Sequence, residues 1–350
     1  MASEGLGQPV PEALIRSGAL ARISFAGGGT DVPPFPAQEG GAVLSATINR
    51  YAFASLRSRT DRQVTVQSLD YGLSVEFGVD EPVSFDGDLD LAKAAVRRLI
   101  DRERDGFDLF LHSSAPPGSG LGASSAMVVA LVGVLAERYR LALSPYRIAH
   151  IAHQVEREDL GIRGGLQDHY AATFGGFNFI EFGADRVVVN PLRVGADTVN
   201  ELEHNLLLVY TGRTRLSDHI IDDQTSRYEA GEESSVEGLR QQRGLAREMK
   251  DALLQGRQED FGRLLDEAWQ AKRRLSPKIA TPLIDELYDV AMRSGALGGK
   301  VTGAGGGGYM IFYCAFDRRH LVAEEMIKLG LNVSEVTFEP AGLTTWRAGA

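Results

Sequence analysis

The chain has 350 residues, 43% hydrophobic and 24% charged, the balance of a soluble globular protein with room for one large domain or two ordinary ones. A formal net charge of −10 argues against a broad basic face for nucleic acid, and no apolar run reaches the length of a membrane span. The start MASEGLGQPV has no signal-peptide pattern and the single cysteine, Cys314, permits no internal disulfide; a cytoplasmic enzyme with a buried, inert thiol is expected.

Residues 20–26 and 41–57 read as strands, the second through the alternation in YAFASLRS. VTVQSL and LSVEFG make a further pair, 89–104 a helix, and FDLFLHSS a strand that delivers the chain to PPGSGLGASSA. The helix over 123–139 is apolar almost all round, which predicts burial. Ser144-Pro145 predicts the start of a helix running to about 159, with the serine as N-cap. FNFIEF and RVVVNPL are strands, and HNLLLVYTG opens the second half as another. SRYEAGEESSVEG reads as a polar, mobile connection. Helical spacing then recurs in LRQQRGLAREMKDALLQ, DFGRLLDEAWQAKRRL and TPLIDELYDVAMRSG. YMIFYCAF is a strand, HLVAEEMIKLG a last helix and VSEVTFEP a last strand. This order predicts an α+β protein of two sheet-and-helix halves with a boundary near residue 190.

Glycine is in excess, 40 of 350 residues, and the excess gathers into AGGGTD (26–31), PPGSGLGASS (116–125) and TGAGGGG (302–308). In the central cluster, Gly118, Gly120 and Gly122 leave the backbone N–H groups open to a ligand, and Ser119, Ser124 and Ser125 add hydroxyls at the mouth of the next helix. That pattern suits a phosphate without the lysine of a Walker loop, and a serine there could ligate Mg²⁺. In VEREDLGIRGGLQDHYAATFGG, Glu156 and Asp168 are carboxylates on separate elements, one to hold Mg²⁺ and one to take a proton from an attacking hydroxyl. Local sequence alone favours the plainer readings, a solvated Glu156 and a helix-capping Asp168. In LARISFAGGGTDVPPFP, Arg22 suits charge stabilisation and Asp31 a sugar hydroxyl, with a surface arginine on an edge strand as the plain alternative. His150 and His153 lie three apart but lack a third metal ligand in the sequence around them.

In order, these three clusters resemble the GHMP small-molecule kinases over about residues 18–315. The resemblance implies a two-domain GHMP kinase fold, with a ribosomal protein S5 domain 2-like ATP-binding half (1–190) and a ferredoxin-like half (191–350). It implies that Pro117, Gly118, Ser119, Gly120, Leu121, Gly122, Ala123, Ser124 and Ser125 wrap the ATP phosphates, and that Ser124 and Glu156 meet Mg²⁺. Asp168 is then the base, with Arg22 stabilising charge. Gly28, Gly29, Thr30, Asp31, Gly165, Gln167, Gly305, Gly306 and Gly307 would face the sugar. Within the family, RISFAGGGTDVPPFP, GGLQDHYAATFGGFNFIEF, YTGRTR and GGKVTGAGGGGYMIF are most similar to the branch acting on heptose phosphates, with the fucokinase branch next to it. The reaction so implied is phosphorylation of the anomeric hydroxyl of D-glycero-D-manno-heptose 7-phosphate, toward a nucleotide-activated heptose.

Ala123, Leu166 and His169 depart from the residues common in that branch. Arg163, Arg193, Arg213 and Arg215 are candidates for the sugar's phosphate, because a guanidinium binds such an anion through two parallel hydrogen bonds. The expected partners are ATP and a sugar phosphate, with no nucleic acid or membrane and with a homodimer left open. Competing readings are a fucokinase-like 1-kinase of a neutral sugar, a silent relative that senses a sugar, and a dinucleotide oxidoreductase. The last lacks a G-x-G-x-x-G after an N-terminal strand.

Overall fold

The computed structural model describes residues 14–100, 105–213 and 218–349. Strand β1 (Leu14–Ala26) and the short helix α1 (Phe35–Glu39) lead to the long strand β2 (Gly41–Ser58). The hairpin β3 (Gln63–Ser68) and β4 (Leu73–Gly78), helix α2 (Asp90–Leu99) and strand β5 (Phe107–Ser113) follow. Next come α3 (Ala123–Tyr139) and α4 (Pro145–His153), the latter widening into a π-helical turn at Gln154–Asp159. Helix α5 (Gln167–Phe174) and strands β6 (Phe177–Phe182) and β7 (Val187–Pro191) complete this part.

The second half runs through α6 (Ala196–Asn205), β8 (Leu206–Tyr210), α7 (Asp218–Glu229), α8 (Glu233–Leu254), α9 (Gln258–Arg273) and α10 (Pro282–Ser294). It ends with β9 (Ala296–Val301), β10 (Tyr309–Cys314), α11 (Arg319–Lys328), β11 (Asn332–Glu335) and β12 (Thr344–Ala348).

The first sheet has the order β12-β1-β2-β5-β3-β4, with β6 and β7 attached through β2. Strand β2 serves two neighbours: Gly41–Ala46 pairs with β6 and Ala52–Ser58 with β5. The β3–β5 pairing is parallel. The second sheet, β11-β8-β10-β9, is antiparallel. Helix α3 is buried as its composition predicts, and Ser17 Oγ of β1 donates to its Ala130 carbonyl at 2.6 Å. Ser144 Oγ caps α4 by accepting the Arg147 N–H. Cys314 is buried, which pushes its thiol up to about 12. Phe25 of β1 packs edge-on against Phe261 of α9 at 5.2 Å and lies beside Phe177 and Phe338, so one aromatic core joins the two sheets.

Two expectations need correction, and one strand is not foreseen. SRYEAGEESSVEG is largely helical, divided between α7 and α8; on α7, Ile220, Gln224 and Tyr228 recur every fourth residue and are buried. The apolar stripe is so narrow that polar composition hides it. Strand β9, reading ALGGKV, has no strand signal because of its glycine pair, yet a β-carbon at Gly298 would fall 2.1 Å from the Gly262 carbonyl oxygen of α9. The glycines let helix and strand touch. Finally, the last strand is not VSEVTFEP, of which only the start lies in β11, but β12, which returns to pair with β1. Among the described residues no helix is long and apolar enough to cross a membrane.

Candidate active site

Between the halves, β1, the loop before α3, the N-terminus of α5 and helix α9 enclose a cleft of about 890 Å³. The loop is built for exposed backbone. Gly118, Gly120 and Gly122 have φ of +66°, +78° and +72°, where a side chain is strained. Gly122 stands at the N-cap of α3, so the first N–H groups of that helix have no partners within it and point toward the loop. Ser119 is buried, and its hydroxyl has no hydrogen-bond partner among the described residues. Leu121 does the opposite work: its side chain is buried and its carbonyl accepts the Arg22 N–H at 2.9 Å, anchoring the loop to β1. Ser124 is exposed in the cleft, Ser125 is buried behind it, and Ala123 lines the wall.

Arg22, on β1, is buried. Its Nε donates to Asp168 Oδ1 at 2.7 Å and its Nη2 lies 2.6 Å from the same oxygen. Its Nη1 donates to the Gly120 carbonyl at 2.8 Å, so one guanidinium ties the carboxylate to the loop. Asp168 is in the first turn of α5, and a β-carbon on Gly122 would lie 3.2 Å from its Cγ. The acid therefore sits directly against the loop.

Glu156 lies in the π-helical turn, fully buried. Its Oε2 accepts from Ser125 Oγ at 2.6 Å and contacts His169 Nε2 at 2.7 Å, while its Oε1 has no hydrogen-bond partner among the described residues. Burial pushes this carboxyl up, but His169, Arg157 and Ser125 outweigh it and hold the group well below the ordinary carboxylate range. A charged, buried oxygen without a partner, lining the same cleft as Ser124 Oγ, is the donor set a hard divalent cation takes. The wider turn re-aims a side chain that an unbroken α-helix over 144–159 would place elsewhere.

Asp31 is buried and accepts from the N–H of Gly29 (3.1 Å), the N–H of Gln167 (3.0 Å) and Gln167 Nε2 (3.1 Å). Burial raises its carboxyl, only partly offset by these N–H groups. Gly165 must be glycine, since a β-carbon would fall 1.9 Å from Asp31 Oδ2. Gly28, Gly29, Gly165 and Gln167 line the cleft, whereas Thr30 is spent on the turn: its hydroxyl donates to the Gly27 carbonyl and accepts the Ala42 N–H.

Other expected residues lie elsewhere. Gly305, Gly306 and Gly307 sit behind the loop: the Gly306 N–H donates to the Ile279 carbonyl, and a β-carbon at Gly307 would strike the Arg213 carbonyl. Just beyond them, the N–H of Tyr309 donates to the Ser119 carbonyl. Close packing of backbone on backbone is enough to require glycine there. Of that cluster only Gly303, beside Thr302 and Ala304, lines the cleft. Arg163 lines it too, exposed and paired with Asp222 at 3.2 Å, while Arg193 and Arg213 are exposed outside it. Arg215 lies outside the described residues.

Two cationic residues of the cleft are not among the expected site residues, although Lys300 stands within GGKVTGAGGGGYMIF. Lys272 of α9 and Lys300 of β9 are both buried. Burial brings the Lys272 ammonium down to about 8, with Asp31 and Asp168 resisting and Arg22 adding to the effect. Lys300 is held well below its usual range by burial and by the charges of Lys272 and Arg22, and donates to the Ser24 carbonyl. Helical spacing alone does not say where Lys272 points, and the fold turns both lysines inward. A second cleft, more apolar, opens on the other side of the loop, lined by Leu89, Leu91, Leu111, Met127, Tyr71 and Pro117. The two clefts share Gly118, Ala123, Ser124 and Ile162.

The family models of the GHMP kinases N terminal domain and the GHMP kinases C terminal region match residues 90–176 and 249–330. The D-glycero-alpha-D-manno-heptose 7-phosphate kinase of Campylobacter jejuni is 36% identical over 340 residues, covering 95% of this chain and 99% of that one. A bifunctional fucokinase/GDP-fucose pyrophosphorylase of Arabidopsis thaliana is 27% identical over 83% of this chain and 29% of its own length. Among solved structures, a D-glycero-D-manno-heptose 1-phosphate kinase from Bacteroides thetaiotaomicron superposes with a TM-score of 0.81 at 32% identity, over 96% of this chain and all of that one.

Proposed function

The chain belongs to the GHMP kinases, which use ATP as phosphate donor, and we propose that its acceptor is the anomeric hydroxyl of D-glycero-D-manno-heptose 7-phosphate and its product the 1,7-bisphosphate. The observation that carries this reading is the loop shared by two clefts, with Asp168 and Arg22 pressed against it on the polar side. ATP spans that junction, its base and ribose in the apolar cleft and its phosphates on the N–H groups of the loop and of α3. Ser124 Oγ and Glu156 Oε1 would hold Mg²⁺, which offsets the charge of the phosphates when bound.

The acceptor lies in the polar cleft, hydrogen-bonded by Asp31. Asp168 takes the proton of the reacting hydroxyl as that oxygen bonds to the γ-phosphorus and the bond to the bridging oxygen of ADP breaks. Arg22, held to both Asp168 and the loop, is placed to offset the charge that gathers on the transferring group. His169 and Ser125 occupy Glu156 Oε2, which leaves Oε1 for the cation.

One observation favours a second reading, a 1-kinase of an unphosphorylated sugar: Arg193 and Arg213 do not line the cleft, and Arg163 is tied to Asp222. The test is kcat/KM with ATP and Mg²⁺ for heptose 7-phosphate against unphosphorylated heptose and fucose. A ratio above one supports the phosphosugar, and a ratio below one moves the acceptor to the neutral class.

A further inference from the structure

Above the Cα of Gly28, three polar side-chain ends converge from separate elements. A β-carbon built there would lie 3.5 Å from Ser24 Oγ of β1, 3.6 Å from Lys272 Nζ of α9 and 3.8 Å from Gln167 Nε2 of α5. Ser24 Oγ and Gln167 Oε1 are buried without hydrogen-bond partners among the described residues. Lys272 is 4% exposed and its ammonium makes no hydrogen bond or ion pair with any described residue, although it lines the cleft. Buried polar atoms are normally satisfied, and an ammonium most of all, so several unsatisfied groups at one point mark a place where a ligand completes them. One residue on, a β-carbon at Gly29 would lie 2.9 Å from Gln224 Nε2, which adds a second amide to the same wall.

We infer that this niche is the subsite for the neutral, hydroxyl-bearing end of the acceptor, and that Lys272 is the donor that orients it beside Asp168. The inference deepens the kinase reading and rests on it. Its chemical commitment is to hydroxyls and not to the acceptor's phosphate: the one ammonium of the niche already stands in the field of the Asp31 and Asp168 carboxylates, and its other polar ends are neutral amides and a hydroxyl. The glycine at 28 keeps the niche open. Its φ is not in the left-handed region and all three contacts are ordinary van der Waals distances, so alanine fits the fold while filling the ligand's place.

The experiment measures KM for ATP and for heptose 7-phosphate and unphosphorylated heptose, on the full chain, for wild type, Lys272→Met and Gly28→Ala. Both variants are expected to raise KM about tenfold or more for both sugars alike, with KM for ATP within about twofold. Unfolding should be unimpaired in Lys272→Met, because the ammonium lost had no ion-pair partner among the described residues. In the wild type KM for the sugar rises above pH ~8 as Lys272 discharges in the company of Asp31, Asp168, Arg22 and Lys300; in Lys272→Met that rise is absent. A loss confined to the phosphorylated sugar would assign Lys272 to the phosphate and overturn the inference. So would an unchanged sugar KM, or a shift in KM for ATP instead. Failure of the heptose assignment itself is seen differently, as absence of wild-type turnover with either heptose, and the comparison then runs on whichever neutral sugar is turned over.

Discussion

Replacing Asp168 tests the centre of the mechanism, and the structure separates its catalytic from its structural effect. Both Arg22 contacts go to one oxygen, Oδ1, and the side chains of Arg22 and Asp168 are 6% and 18% exposed. Asp168→Asn retains an oxygen in that position, so Arg22 keeps its hydrogen bonds to it and to the Gly120 carbonyl, and about 1–2 kcal/mol of stability is lost. Asp168→Ala leaves the buried guanidinium with neither a counter-charge nor the acceptor oxygen that asparagine retains, which costs about 3–5 kcal/mol. The loss of the proton acceptor is common to both and lowers kcat about 10²–10⁴-fold. ADP release in a coupled assay gives kcat, and urea unfolding gives stability. Equal kcat losses with unequal stability losses are expected. An asparagine variant turning over within about threefold of wild type would refute Asp168 as the base.

Glu156→Gln and Ser124→Ala should each raise the Mg²⁺ concentration for half-maximal activity by about tenfold while sparing KM for the sugar; an Mg²⁺ titration unchanged in both removes them from the cation. Gly120→Val should abolish ATP binding by calorimetry, because its φ of +78° disfavours a β-branched residue and its β-carbon would lie 3.1 Å from the Gly303 nitrogen. Binding at wild-type affinity would show that the loop does not cradle the phosphates. Arg163→Ala should raise KM for a phosphorylated sugar by up to about fivefold, the limit for so exposed a group, whereas Arg213→Ala should leave it unchanged. The reverse order would place the sugar's phosphate at the Arg213 side.

The parts of the site legible in the sequence are those whose function depends on neighbours along the chain. Glycines at 118, 120 and 122 ahead of an apolar helix announce a loop of open N–H groups, and Ser144-Pro145 announces a helix start, because φ, capping and periodicity are set by residues a few positions apart. The fold class follows for the same reason, from alternation and helical spacing. Tertiary structure alone decided what depends on distant partners. Lys272 and Lys300 are separated from Arg22 by some 250 residues or more, and although Lys300 stands within GGKVTGAGGGGYMIF, only the packing of the fold turns both ammonium groups inward. The pairing of Glu156 with Ser125 and His169, which frees one oxygen, exists only once α3, α5 and the π-helical turn pack together. Strand β12 finds β1 at the opposite end of the chain. Gly305 to Gly307 carry the reverse lesson: a glycine run signals that a backbone must come close to something, but whether that is a ligand or another backbone is settled by what the fold brings against it.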